Sequence, residues 1–124
     1  MKNETLLLRQ VHPRFVQAGE ITSQVFKLSN GESGLSAYNG DSISPEDAHT
    51  HYTTTLNNMS CGVVGISKKE CESCRLIVIE DKIPFEEHVS ILYGDIQGKE
   101  LNRTAVKLKR LAIDRGWLFG PNYR

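Results

Sequence analysis

Residues 34–57, GLSAYNGDSISPEDAHTHYTTTLN, decide how this chain is read, because they run a short strand into a capped helix. Gly34-Leu35-Ser36-Ala37-Tyr38 alternates with period two, placing Leu35 and Ala37 on one face and Ser36 and Tyr38 on the other. Asn39-Gly40-Asp41 is turn chemistry, since these residues tolerate the backbone angles of a tight reversal. Ser44 is placed to cap a helix, with Pro45 at the first helical position, where a missing N–H costs nothing. Asp47 stands three residues on, as in a capping box, and with Glu46 puts negative charge at the positive end of the helix dipole. A helix over Pro45 to about Leu56 follows. Its second half, Tyr52-Thr53-Thr54-Thr55, is aromatic and then β-branched, and a poor helix former.

Working outward, Thr5–Val11 reads as a first strand ended by His12-Pro13. Phe15–Thr22 is mixed and reads as a loop, Gln24–Leu28 as a short second strand, and Ser29–Gly34 as a turn. Downstream, Cys61–Ser67 is a nearly continuous apolar run, as in a strand buried on both faces. Ser67-Lys68-Lys69-Glu70 matches a capping box and opens a short helix over Lys68–Cys74. Arg75–Glu80 is the most strand-like segment, broken by Asp81–Pro84, and Val89–Tyr93 is a further strand. Lys99–Arg115 is the clearest helix, with Leu101, Ala105, Leu108, Leu111 and Ala112 on one face and Gly116 as its stop. Trp117-Leu118-Phe119 is expected to dock back onto the core. The sum is one α+β domain over residues 1–124, a mixed sheet of four to six short strands with the last helix packed on one face.

Composition narrows the function. The 124 residues suffice for one core, 39% are apolar and 24% charged, and formal net charge is zero, so no overall field calls for nucleic acid or membrane. No apolar run approaches the roughly 18 residues of a membrane span, and Arg9 interrupts the N-terminal leucines too early for a signal peptide. Three cysteines, an odd number, argue for a reducing, cytoplasmic setting. The patterns GxSxG, GxxxxGK[ST] and GxGxxG are absent, and no cofactor is expected.

The residues that could carry chemistry are Arg9, His12, His49, His51 and His88. An imidazole can act as acid or base at neutral pH. His49 and His51 point about 200° apart on a helix and cannot grip one metal together. The commoner role of each histidine is packing at an element's edge. As an enzyme on a nucleotide or nucleic acid, the chain would have to bring at least three of the five into one cleft. Cys71-Glu72-Ser73-Cys74 has the CxxC spacing of zinc and redox sites. No second CxxC accompanies it, and Cys71 falls inside the short helix rather than at its start, so free thiols and no metal are expected. Residues 99–124 carry seven basic side chains against two acidic, a local net of +5, including Arg103, Lys107, Lys109 and Arg110 on the last helix. Such a face can bind phosphate backbones, with steep salt dependence and weakening on Lys107→Glu, although a solvated amphipathic face is its commoner meaning.

Two resemblances follow from particular residues. Arg9, Ser36, Tyr38 and Glu86 or Glu87 resemble the arrangement of small ADP-ribosyltransferase-type folds, which implies binding of a nicotinamide dinucleotide. The segments LLLRQVHPRFVQAGEITSQVFKLSNGESGLSAYNGDSISPEDA (6–48) and VVGISKKECESCRLIVIEDKIPFEEHVSI (63–91) resemble a small family of uncharacterised bacterial proteins from mobile-element or defence gene neighbourhoods. That resemblance implies a bacterial cytoplasmic protein and transfers no catalytic residue. With no complete catalytic motif, the leading expectation is a non-enzymatic accessory or regulatory module that binds a protein partner, with homodimerisation open. The alternative is a small His/Arg-based enzyme on a nucleotide or nucleic acid, ADP-ribosyltransferase-like in one version.

Overall fold

The computed structural model describes residues 1–122, so Arg124, counted above in the basic segment, lies outside the described residues. The strands are β1 (Leu6–Val11), β2 (Val16–Gln17), β3 (Glu20–Ile21), β4 (Gly34–Asn39), β5 (Gly62–Ser67), β6 (Ile77–Ile79) and β7 (His88–Leu92). The helices are α1 (Pro45–Thr50), α2 (Lys68–Ser73) and α3 (Gly98–Arg115). Five strands form one sheet in the order β5-β1-β4-β7-β6, and β2 and β3 form a separate two-residue hairpin. The α+β class and the helix on the sheet are as expected. Every neighbouring pair is antiparallel, so the sheet is more uniform than a mixed one.

One face of the sheet packs under α3. Leu7 and Val11 of β1, Leu35, Val64, Ile66, Val89 and Ile91 meet Ala105, Leu108 and Ala112 of that helix, all buried. Full burial of each large apolar side chain stabilises by about 1.5–3 kcal/mol. The other face holds a smaller cluster of Leu8, Tyr38, Ala48 and Val63, backed by Phe85, Leu118 and Phe119. Because β5 is covered on both faces, all six of its residues are buried, as its continuous apolar run requires.

Caps behave as the sequence dictates. Ser44 accepts from the Asp47 N–H, and Ser67 with Glu70 completes a reciprocal capping box at α2. After Thr50 the α-helical ladder widens into a π-helical turn, His51–Thr55, where the Leu56 N–H reaches back to the His51 carbonyl. Its threonines supply the cause: Thr53 Oγ1 donates to the His49 carbonyl at 2.8 Å, competing with the backbone ladder.

Two expectations need correction. Gln24–Leu28 is no strand; Ser23–Phe26 is a 3-10 turn, and neighbouring Val25 and Phe26 are both fully buried, which a one-faced period-two strand does not allow. Phe15–Thr22 is not simply a loop either. It carries the β2–β3 hairpin, whose tip Ala18-Gly19 has φ of 51° and 82°, the double positive φ of a type I′ turn.

The two sheet edges differ. At β5, Trp117–Phe119 lies along the edge: Phe119 accepts from the Val63 N–H at 2.9 Å and the Leu118 N–H donates to the Val63 carbonyl at 2.9 Å. The expected apolar tail thus docks on an edge strand as a strap. At β6 the edge stays open, with Ile77 52% and Ile79 41% exposed. Among the described residues, no helix is long and apolar enough to cross a membrane.

Candidate functional site

A cleft of about 610 Å³ opens where β1 and β4 part. The two strands pair only at Leu7↔Asn39 and Leu8↔Tyr38, while β1 continues along β5 and β4 continues along β7. Beyond Leu8, the Arg9 side chain bridges the gap. Its Nη1 donates to the Ser36 carbonyl at 2.6 Å, and Nη2 and Nε donate to the Val25 carbonyl at 2.6 and 3.2 Å. Burial pulls the Arg9 pKa down, and the nearby Tyr52 and Glu32 offset only part of this. Among the described residues no carboxylate lies in ion-pair contact with Arg9. A guanidinium held by neutral carbonyls leaves a positive field in the cleft.

The cleft wall is aromatic. Phe85 stacks on Tyr38 with ring centroids 4.8 Å apart and meets the rings of His51 and His88 edge-on. Tyr38 Oη and His51 Nδ1 share a hydrogen bond of 2.8 Å. Burial, with Tyr52 and Glu87 adding, raises the Tyr38 pKa, so this phenol stays protonated. Tyr52 and Phe15 complete the apolar lining, and Lys27 and Glu32 face the same space.

On the cleft face of the sheet, period two puts Ser36 and Tyr38 of β4 beside His88 and Ser90 of β7. The exposed Ser36 has its Oγ 3.1 Å from Nε2 of the buried His88. His88 Nδ1 lies 2.7 Å from Asp81 Oδ1, and the Ser90 hydroxyl donates to Asp81 Oδ2 at 2.6 Å. Partial burial pushes the Asp81 carboxyl up, but the hydrogen bonds from Ser90 and His88 outweigh it and hold the group below its ordinary range. An ionised Asp81 can only accept, so His88 donates from Nδ1, and in the neutral imidazole Nε2 is then the nitrogen that accepts from the Ser36 hydroxyl.

Of the five candidates, Arg9, His12 and His88 line this one cleft. His12 also caps the 3-10 turn Pro13–Phe15, its Nδ1 accepting from the Arg14 N–H at 3.1 Å. His51 backs the cleft wall through Tyr38 and Phe85. His49 is turned away: its Nε2 meets the Ser60 carbonyl at 2.9 Å and its ring lies on Phe119. The two helix histidines thus diverge as their spacing requires.

Other candidates lie elsewhere. Glu86 is exposed beside Lys82, and neither it nor Glu87 lines the cleft that Arg9, Ser36 and Tyr38 share. Cys71 is fully buried, its thiol pushed up to about 12 by burial and by its neighbours Cys74, Glu70 and Glu72. Among the described residues no group of three or more His, Cys, Asp or Glu is placed to hold a metal ion. On α3, Arg103, Lys107 and Arg110 are exposed and Lys109 half-buried, and none of the four enters the cleft. Arg115 of the same helix is bound to Glu70 at 2.9 Å and to the Gly65 carbonyl at 2.9 Å. Asp81 is the participant that sequence reasoning missed, because it sits in a strand-breaking segment and meets His88 only through the loop's path.

No protein family, curated protein or solved structure matches this chain.

Proposed function

We propose that this chain is a small enzyme acting in the β1–β4 cleft on a nucleotide or a nucleotide-like phosphate ester. The observation that carries the reading is the convergence of Arg9, His12 and His88 on one cleft of nucleotide size. Arg9, without a carboxylate partner among the described residues, suits a phosphate better than a neutral ligand. The partly buried Phe85, stacked on the buried Tyr38, and Tyr52 supply π faces for a base. His88, oriented by Asp81, supplies an acid–base group. ADP-ribosyl transfer ranks behind phosphate-ester chemistry, since Glu86 and Glu87 stand outside the cleft.

A bacterial cytoplasmic setting fits three unpaired cysteines, and a defence-associated role rests on the family resemblance alone. A second reading, the protein-binding accessory module, is favoured by the open β6 edge with Ile77, Ile79 and the 72% exposed Ile83.

Native mass spectrometry of the purified protein, followed by titration with AMP, ADP, NAD and a short RNA, tests the choice. A nucleotide that binds wild type and is lost on Arg9→Lys or turned over without His88→Gln retaining the rate supports the enzyme. Absence of binding up to about 1 mM, which corresponds to only about 4 kcal/mol, together with a stoichiometric protein partner, would move the module to the front.

A further inference from the structure

We propose that Ser36 is a nucleophile, activated by His88 and positioned through Asp81, that carries a phosphoryl group covalently between two half-reactions. The inference rests on reading the cleft as a site for phosphate esters, and it names the reaction type of that site. Three separate segments deliver the groups: β4 brings Ser36, β7 brings His88, and the β6–β7 connection brings Asp81. Ser36 is paired with Ser90 and Tyr38 with His88, so Ser36 and His88 are diagonal neighbours across the strands, within reach of an imidazole ring. The hydrogen-bond chain Ser36 Oγ–His88 Nε2 at 3.1 Å and His88 Nδ1–Asp81 Oδ1 at 2.7 Å sets nucleophile, base and orienting carboxylate in line.

The exposure pattern separates this from a packing device. His88 is buried and Asp81 partly so, yet the terminal hydroxyl opens to the cleft. Arg9 grips the backbone carbonyl of Ser36 itself, at 2.6 Å, which fixes the strand at the nucleophile.

The chemistry balances with water as the only co-reactant. Ser36 Oγ forms a bond to phosphorus while its proton passes to His88 Nε2. The bond from phosphorus to the leaving alcohol breaks, and the departing oxygen takes that proton. Water then attacks the phosphorylated serine, giving one proton to His88 Nε2. The P–Oγ bond breaks and Oγ recovers the proton. Asp81 stays ionised and acts as a positioning residue for the imidazole.

An alkyl fluorophosphonate reads the nucleophile directly, because it forms an Oγ–P bond and expels fluoride. Intact-mass and peptide mapping of the whole chain should find one adduct, on Ser36, absent in Ser36→Ala. His88→Gln should slow labelling by roughly 100-fold or more, the usual contribution of a positioned base. Asp81→Asn should slow it and shift its pH profile, which a packing role would leave unmoved. Binding of fluorescent mant-ADP, measured in parallel, separates the two claims. Labelling at Ser36 without mant-ADP binding supports the nucleophile and overturns the nucleotide reading. Binding of mant-ADP without an adduct at Ser36 overturns the nucleophile. An adduct formed equally fast in folded His88→Gln overturns the relay.

Discussion

Gly62→Ala puts the C-terminal strap to the test, and its effect can be worked from the packing. A Cβ at Gly62 would lie 2.6 Å from the Phe119 carbonyl oxygen and 2.8 and 2.9 Å from two atoms of the Trp117 ring. One of these neighbours is backbone, so the methyl cannot be accommodated by a side-chain rotation. Overpacking of this kind costs about 1–3 kcal/mol when the structure shifts to absorb it. Should the strap instead lift off, the Val63 bonds go as well, at about 0.5–1.5 kcal/mol each, together with part of the apolar burial of three large side chains. The expected loss is therefore about 2–4 kcal/mol. Urea denaturation measures it, as a midpoint shift at a slope of about 1–3 kcal/mol/M. The chain's one tryptophan is in the strap, so its emission should move to the red before far-UV dichroism changes. A variant within about 0.5 kcal/mol of wild type, with unchanged tryptophan emission, would refute the argument that the strap seals the β5 edge.

Glu70→Gln should flatten the acid limb of the stability curve. Burial pushes the Glu70 carboxyl up, but hydrogen bonds from Arg115 and Ser67 pull it further down, so its folded value lies below its unfolded one. Its contribution is therefore complete above the ordinary glutamate range and disappears as pH falls through the lowered value; urea midpoints across that range measure the difference from wild type. Tyr38→Phe removes the 2.8 Å bond to His51 while keeping the ring stack on Phe85, and should cost about 0.5–1.5 kcal/mol in the same titration.

Local signals in the sequence were strong where physics is local. Ser44-Pro45, the Ser67–Glu70 box and the Leu101–Ala112 spacing each specify an element by backbone caps or periodicity, and each element is present. The period-two reading of residues 34–38 put Ser36 and Tyr38 on one face, and both side chains lie across from β7 on the same face of the sheet. What failed was short and tertiary: Val25 and Phe26 turn because both are drawn into the core, and two-residue strands such as Val16–Gln17 carry no pattern. Asp81 meets His88 across a loop, and the β1–β4 split depends on where pairing stops. Neither leaves a mark at any fixed spacing.

The order in which the sheet's partners are made has its own consequence. β1, residues 6–11, is an interior strand whose longest ladder is with residues 62–67, and the cover on that ladder's far strand comes from residues 117–119. A growing chain therefore carries an unfinished sheet, and its β5 edge is shielded only once residues 117–119 have emerged. Shortening the chain ahead of Trp117 would leave both rims of the sheet bare and make end-to-end polymerisation, rather than simple unfolding, the expected fate of the truncated product.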